Sequence, residues 1–367
     1  MRILLLADCN STHTQKWAIS LAERDIEIYI FSLSIIKTDV YKNSRVQIIA
    51  SGLEGHSFSS GILSKLKYLK LIPQLRTTIK SIRPDIVHAH YASSYGLLAA
   101  LVGYKPVITS VWGSDVFDFP KQNNILKRVL EFNFRRASRI LSTSHIMANE
   151  AKKYTSKEIT ITPFGIDLKK FTPTLNKTEN KSLVIGTVKS LEKIYGIDLL
   201  IRSFAQLVEK LPDTNAKLVI VGDGTERTNL MTLIHKLGLE NRVQMPGKVD
   251  NDQIPEILNS FDIFASLSLQ ESFGVSALEA MACGIPVIVS DAPGFNEIVT
   301  HQQHGLIVPR NNTEQATIAM TKMLTDPQLR ISYGKAARRH IVQHYDWEKN
   351  VNQMIGIYTN LIHNNPQ

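Results

Sequence analysis

Cysteine is scarce in this chain: Cys9 and Cys283 are the only two in 367 residues. Two thiols so far apart in sequence make no disulfide framework, and such usage fits a reducing compartment. Long apolar runs are missing too. The first, Ile3–Ala7, is too short for the apolar region of a signal peptide and reads as a buried first strand. No apolar stretch approaches the roughly 18 residues of a membrane-spanning helix. The pair Gly222 and Gly224 lacks the third glycine of a dinucleotide fingerprint, so nicotinamide chemistry has little support and the GDG segment reads as a tight turn. Basic residues interleaved with aromatics are absent, and nucleic acid is not an expected partner. There is no low-complexity tract and no fixed-period repeat.

What is present is ordinary for a soluble globular chain: 43% hydrophobic and 20% charged residues. The length suggests two domains. Charge is unevenly placed. Residues 1–175 hold 24 Lys/Arg against 13 Asp/Glu, whereas 176–367 hold 18 against 20. A positive surplus confined to one half points to an anionic partner for that half. Two runs concentrate it: SKLKYLKLIPQLRTTIKSIR at 64–83, which has no acid, and KRVLEFNFRRASR at 127–139. Apolar residues interleave with both. An anionic membrane surface, on the inner face, or a lipid-phosphate acceptor is the expected partner, and solvated helix faces are the alternative.

Strand and helix patterns alternate through both halves. Strands are expected at Ile3–Ala7, Glu27–Phe31, Ile82–His88 and Pro106–Val111, with a helix over His13–Arg24. The polar stretch TLNKTENK at 174–181 reads as a linker. A second alternating run follows, from Leu183–Val188 to Val287–Ser290. Such alternation predicts two α/β domains, each a doubly wound parallel sheet, at 1–173 and 182–345. After Asp346 the apolar spacing of Trp347, Val351, Met354, Ile357, Tyr358 and Leu361 predicts an amphipathic helix.

Chemistry concentrates in QESFGVSALEAMACGIPVIVSD. Glu271 lies on a loop, Phe273, Gly274 and Val275 open a helix, and Glu279 sits about one turn into it. A helix start offers free N–H groups and a positive dipole end, which suit a diphosphate. Gly274 lets a ligand approach the backbone. A carboxylate on either side can accept hydrogen bonds from sugar or ribose hydroxyls.

This segment resembles the Glu, seven residues, Glu signature of the family-4 glycosyltransferases, which have the GT-B fold. Further pieces resemble the family in the expected order: ITPFGIDLKKFTP, IGTVKSLEKIYGIDLLIRSF, LVIVGDGTERTNLM, RVQMPGKV and ILNSFDIFASLSLQESFG. The resemblance implies two Rossmann-like domains facing a central cleft. The acceptor would bind the first, the donor the second, and the last helix, 346–367, would cross back to the first domain. It implies a metal-independent, retaining hexosyltransferase that moves a sugar from a UDP-sugar to a glycan or lipid-linked glycan in cell-surface polysaccharide biosynthesis. No cofactor is implied beyond the donor substrate. An inactive nucleotide-sugar-binding partner and a UDP-sugar epimerase remain the alternatives.

Residue by residue, the resemblance assigns Glu279 to the ribose, Glu271 to the donor sugar and Lys189 to the diphosphate. The family's second phosphate-gripping cation falls where this chain has Ile194 and Tyr195, so Lys193 is the nearest substitute. Gly186 is placed at the same strand end. Met245, Pro246 and Gly247 match the segment whose backbone meets the base. On the acceptor side stand His13, at a helix start after the loop Asn10–Thr12, and His90, at a strand end with His88. Trp112 stands where many relatives have a histidine, and it can stack on a sugar ring. Asp115 then orients an acceptor hydroxyl or accepts its proton, unless it caps the next helix. The DND triplet at 250–252 looks superficially like a metal motif of another transferase fold and reads better as a helix cap.

Overall fold

A computed structural model describes residues 1–51, 68–174 and 182–364. The chain divides into two compact units, one of Met1–Phe164 with the segment from Glu348 onward, the other Gly165–Trp347.

The first unit carries strands β1 (Arg2–Leu6), β2 (Glu27–Ser32), β3 (Gln47–Ala50), β4 (Ile86–His90), β5 (Val107–Val111), β6 (Arg139–Ser142) and β7 (Ile159–Ile161). They form one sheet in the order β3-β2-β1-β4-β5-β6-β7. Every pairing is parallel, for example Leu5 with Ile30 on one side and with His88 on the other. Both faces of such a sheet are covered by helices, so its central strands are continuous apolar runs rather than alternating ones. Ile3, Leu4, Leu5 and Leu6 are all fully buried. Each such side chain contributes about 1.5–3 kcal/mol relative to exposure. The expected strand at Ile82–His88 begins later, at Ile86. Ile82 instead ends the helix Ile72–Ile82, which stops because Arg83 turns left-handed (φ +50°) and Pro84 follows.

The last helix, Trp347–His363, supplies Val351, Met354, Tyr358 and Leu361 to the core of this unit. Its place is fixed by polar contacts as well. Asn350 donates to the Pro163 carbonyl at 2.9 Å, Gln353 to that of Ile161 at 3.0 Å, and the Tyr358 hydroxyl meets His88 Nδ1 at 2.7 Å.

The second unit carries β8 (Val184–Val188), β9 (Lys217–Val221), β10 (Val243–Gly247), β11 (Ile263–Ser266), β12 (Val287–Ser290) and β13 (Gly305–Val308). Their order is β10-β9-β8-β11-β12-β13, again parallel throughout. The helix Ile197–Lys210 buries Leu200, Ile201, Phe204 and Leu207 in its core. The unit begins at Gly165 and not beyond 173, for clear reasons. Ile166 bridges to Asp346, Lys170 pairs with Asp252 at 2.6 Å, and Asn259 holds the backbone of Thr172 and Thr174. The partner Lys170 also corrects the reading of the DND triplet: Asp252 forms that ion pair, and no side chain caps the helix Ile254–Asn259. Most of the expected linker, residues 175–181, lies outside the described residues, as do residues 64–67 of the first basic run.

Candidate active site

In each sheet the strand order reverses once, between β1 and β4 in the first unit and between β8 and β11 in the second. At such a switch point the flanking loops leave in opposite directions and open a crevice beyond the carboxyl ends of the strands.

In the second unit, Lys189 follows β8 and Glu271 lies on the loop after β11. Lys189 Nζ and Glu271 Oε2 are 2.5 Å apart, with side chains only 13% and 8% exposed. The pair therefore bridges the switch point itself. The Tyr195 ring stands 4.2 Å from the same ammonium, a cation–π contact worth about 0.5–1 kcal/mol. Burial and then the Glu271 charge raise the Tyr195 hydroxyl above its ordinary pKa.

Glycines hold this pair in place. Gly222 has φ +140°, and a β-carbon there would lie 1.9 Å from the Lys189 carbonyl oxygen. Gly224 meets the Leu191 carbonyl in the same way, at 2.5 Å. The Lys189–Leu191 backbone is bonded along this seam: Lys189 N–H to Val221 O at 2.9 Å and Leu191 N–H to Asp223 O at 3.0 Å. On the other side, Gly294 donates to the Glu271 carbonyl at 2.9 Å and leaves no room for a side chain against it. The helix Val275–Ala282 starts at Gly274 (φ +87°) with no side chain capping it. A helix start of this kind suits an anionic ligand. Glu279 lies one turn from Cys283. Burial, and then the Glu279 charge, push that thiol up to about 12, so it is inert near neutral pH.

In the first unit a cavity of about 510 Å³ opens at the carboxyl ends of β1, β4 and β5. Ser11, Thr14, His90, Tyr91, Trp112 and Ser114 are among the residues lining it. His88, fully buried behind it, bridges Tyr358 and Ser110 Oγ at 2.7 Å each. His90 packs on Trp112 with ring centroids 4.6 Å apart. Tyr91 holds a left-handed backbone (φ +85°) and its hydroxyl bonds Ser114. A non-glycine residue in that conformation is uncommon, and such residues cluster at functional sites.

Two family models match the chain: Glycosyl transferases group 1 over residues 169–340, and Glycosyl transferase 4-like over residues 2–144. The chain belongs to the group 1 glycosyltransferases. It is 29% identical over 296 residues to the N-acetyl-alpha-D-glucosaminyl L-malate synthase of Bacillus anthracis, covering 76% of this chain and 75% of that protein. It is 28% identical to the UDP-Gal:alpha-D-GlcNAc-diphosphoundecaprenol alpha-1,3-galactosyltransferase of Escherichia coli, covering 82% of each. Among solved structures it resembles the sucrose-phosphate synthase of Thermosynechococcus elongatus, with a TM-score of 0.80, 19% identity and full coverage of both chains. HepE of Anabaena in complex with UDP gives a TM-score of 0.81 at 19% identity, over 98% of this chain and 100% of that one. The fold is thus the GT-B fold expected from the resemblance.

Within this group 1 glycosyltransferase several site residues stand elsewhere than the sequence suggested. Asp115 is fully buried and accepts backbone N–H bonds from Ala92 at 2.7 Å, Gly113 at 2.8 Å and Trp112 at 3.1 Å. It staples the loops after β4 and β5, which removes it from direct acid–base work. Burial raises its carboxyl to about 6 against those stabilising bonds. Gly186 lies in mid-strand, where a β-carbon would strike the Phe261 ring at 2.3 Å, so its role is packing. Lys193 is exposed and lines a separate hollow of about 290 Å³ with Glu192, Asp198 and Arg202, while Tyr195 faces Lys189 in its stead. His13 stacks on Phe164 at 4.0 Å, and its neighbours Ser11 and Thr14 line the cavity instead. Phe273 is buried, edge-on to Tyr345. A β-carbon at Gly274 would lie 2.8 Å from the Phe295 ring, so packing demands glycine there. Met245, Pro246 and Gly247 close β10. The Met245 carbonyl accepts from Arg227 at 3.2 Å, a support that sequence reading missed. Among the described residues no group of three or more His, Cys, Asp or Glu is placed to hold a metal ion.

The buried histidines give the first unit a pH-dependent stability. Burial lowers His13 to about 4 and His90 to about 3, and holds His88 well below 6.5. A depressed histidine stabilises above its unfolded value of 6.5, and that contribution is lost as pH falls below it. By pH 5 the loss is about 2 kcal/mol for each of His13 and His90, and His88 acts in the same direction. Asp115 acts with the opposite sign, because its raised carboxyl favours the folded state as pH falls through about 6. Its gain by pH 5 is about 1 kcal/mol. Three histidines outweigh one carboxyl. Denaturant unfolding is expected to show a clearly lower midpoint at pH 5 than at pH 7, and equal midpoints would contradict these environments.

Proposed function

We propose that this protein moves a sugar from a UDP-sugar to a hydroxyl of a glycan or lipid-linked glycan, with retention of the anomeric configuration. The observation that carries the proposal is the Lys189–Glu271 pair across the β8/β11 switch point, beside the uncapped start of the helix Val275–Ala282. A departing nucleoside diphosphate gathers negative charge at its β-phosphate. One preset ammonium and the N–H groups of a helix start are suited to stabilise that charge as it develops. In this reading Lys189 leaves Glu271 for the diphosphate, which frees Glu271 for hydroxyls of the donor sugar. Glu279 is assigned to the ribose and the backbone of Met245–Gly247 to the base. With Asp115 committed to backbone bonds, the leaving diphosphate is the natural acceptor of the attacking hydroxyl's proton. The E. coli relative's name joins a UDP-sugar to a diphosphoundecaprenol-linked acceptor, which favours these substrate classes.

The test is UDP release from a panel of UDP-sugars in EDTA, with and without glycan acceptors, followed by NMR of the product. Acceptor-dependent release with an α-linked product from an α-donor is expected. UDP binding without release under any acceptor would favour the inactive-partner reading.

A peripheral membrane role in cell-surface polysaccharide assembly fits the same picture. No helix among the described residues is long and apolar enough to cross a membrane. Lys127, Arg128, Arg135 and Arg136 are exposed on the helix Asn124–Arg136, and Ile125 beside them is 60% exposed. Arg76, Lys80 and Arg83 are exposed at the helix Ile72–Ile82. Each such cation gains about 1 kcal/mol near an anionic surface. In flotation the protein is expected with anionic vesicles and not neutral ones. Replacing Lys127, Arg128, Arg135 and Arg136 by glutamate should abolish most of that recovery. Equal recovery with both lipids would contradict it.

A further inference from the structure

The 510 Å³ cavity of the first unit has a charge character opposite to that of its surroundings. Residues 1–175 carry 24 Lys/Arg against 13 Asp/Glu, yet among the described residues no lysine or arginine lines the cavity, while Asp8 and Asp118 do. Its remaining wall is aromatic and hydroxylic, with Tyr91, Tyr95 and Trp112 beside Ser93 and Ser94. The nearby histidines add no positive charge near neutral pH, because burial holds His90 at about 3 and His13 at about 4.

Two polar atoms of the wall lack hydrogen-bond partners among the described residues: Thr14 Oγ1 and His90 Nδ1. Thr14 is fully buried and His90 is 3% exposed. Burying such atoms without a bond costs about 1–3 kcal/mol each, so a ligand that draws the two side chains toward the cavity and supplies the bonds recovers that cost. A neutral imidazole and a hydroxyl each pair well with a sugar hydroxyl. Neither supplies the charge that a phosphate or carboxylate would need on leaving water.

We propose that this cavity takes the acceptor as an uncharged sugar ring, held through its hydroxyls by Thr14 and His90. In this arrangement Asp8 and Asp118 reject sugars that carry a phosphate or carboxylate at that end. The proposal rests on the transferase reading only for the word acceptor. A like charge a few ångströms from each carboxylate, in the partly screened medium near a protein surface, weakens binding by roughly tenfold. The exposed cations of the helices Ile72–Ile82 and Asn124–Arg136 lie outside this cavity's lining. An acceptor's anionic groups would have to meet the protein away from the reacting sugar.

The experiment compares methyl α-glucoside, methyl α-galactoside and methyl N-acetyl-α-glucosaminide with their 6-phosphates. Binding is read by calorimetry and tryptophan fluorescence with UDP present, in the wild-type chain and in Asp118→Asn and Asp8→Asn/Asp118→Asn. At least one neutral glycoside is expected to bind at least tenfold tighter than its phosphate, and the variants should narrow that ratio by strengthening the phosphate. Asp118 is exposed, so the single variant tests the idea even if the double one folds poorly. Equal binding of both forms, a ratio unmoved by Asp118→Asn, or no binding of any neutral glycoside while UDP binds would each overturn the proposal. UDP release from the panel of UDP-sugars and acceptors, measured in parallel, separates the two readings: a neutral preference without transfer to any acceptor upholds the cavity's selectivity and favours the inactive-partner reading.

Discussion

Lys189→Ala is expected to lower turnover by roughly 100-fold, the usual cost of removing one preset electrostatic contact at a developing charge. Three observations make this residue decisive. Its side chain is 13% exposed, its nitrogen sits 2.5 Å from Glu271, and the Tyr195 ring is 4.2 Å away. No other lysine or arginine among the described residues pairs with Glu271. Glu271→Gln should fall by a similar factor for a different reason. The glutamine can still bond a sugar hydroxyl but no longer holds the ammonium in position. Steady-state kinetics separates the two effects: Lys189→Ala should also weaken UDP binding, whereas Glu271→Gln should leave it largely intact. Wild-type rates in either variant would contradict the site.

Gly222→Ala should be the most damaging substitution that adds a single methyl group. At φ +140° an alanine is strained, and its β-carbon would lie 1.9 Å from the Lys189 carbonyl oxygen, a rigid backbone atom. Either β9 or the Lys189 loop must move. The conformational strain alone costs about 1–2 kcal/mol, and the overlap adds to it. The expected result is a lowered melting temperature together with at least tenfold lower turnover, because the displaced segment carries Lys189. Gly238→Ala is the control. That glycine also has positive φ, at +65°, but a β-carbon there meets nothing within 4 Å. It should lose a little stability and keep full activity. If the two variants behave alike, Gly222 does not position the site.

The sequence made some of this legible and hid the rest for definable reasons. Parallel strands buried on both faces leave continuous apolar runs, so Val287–Ser290 could be bounded to the residue. The Glu271 to Glu279 segment was readable because loop, glycine and helix start follow one another within nine residues. Contacts between distant segments were not. Asp115 reads in sequence as an acceptor-site group or a helix cap, yet its three backbone partners come from two loops, one of them 23 residues away. Tyr195 carries no charge and reads in sequence only as a missing cation, although folding sets its ring against Lys189. The GDG segment read as a tight turn. Its glycines instead make room for another strand's loop, a demand set by tertiary packing and not by local turn geometry. Gly186 was misjudged for the same reason, since only the fold brings Phe261 against it.

The most direct measurement is a crystal structure of the protein soaked with UDP. The diphosphate oxygens are expected within about 3 Å of Lys189 Nζ and of the first N–H groups of the helix Val275–Ala282, with the Lys189–Glu271 pair opened. UDP lodged elsewhere, with that pair still closed, would contradict the assignment of the donor site.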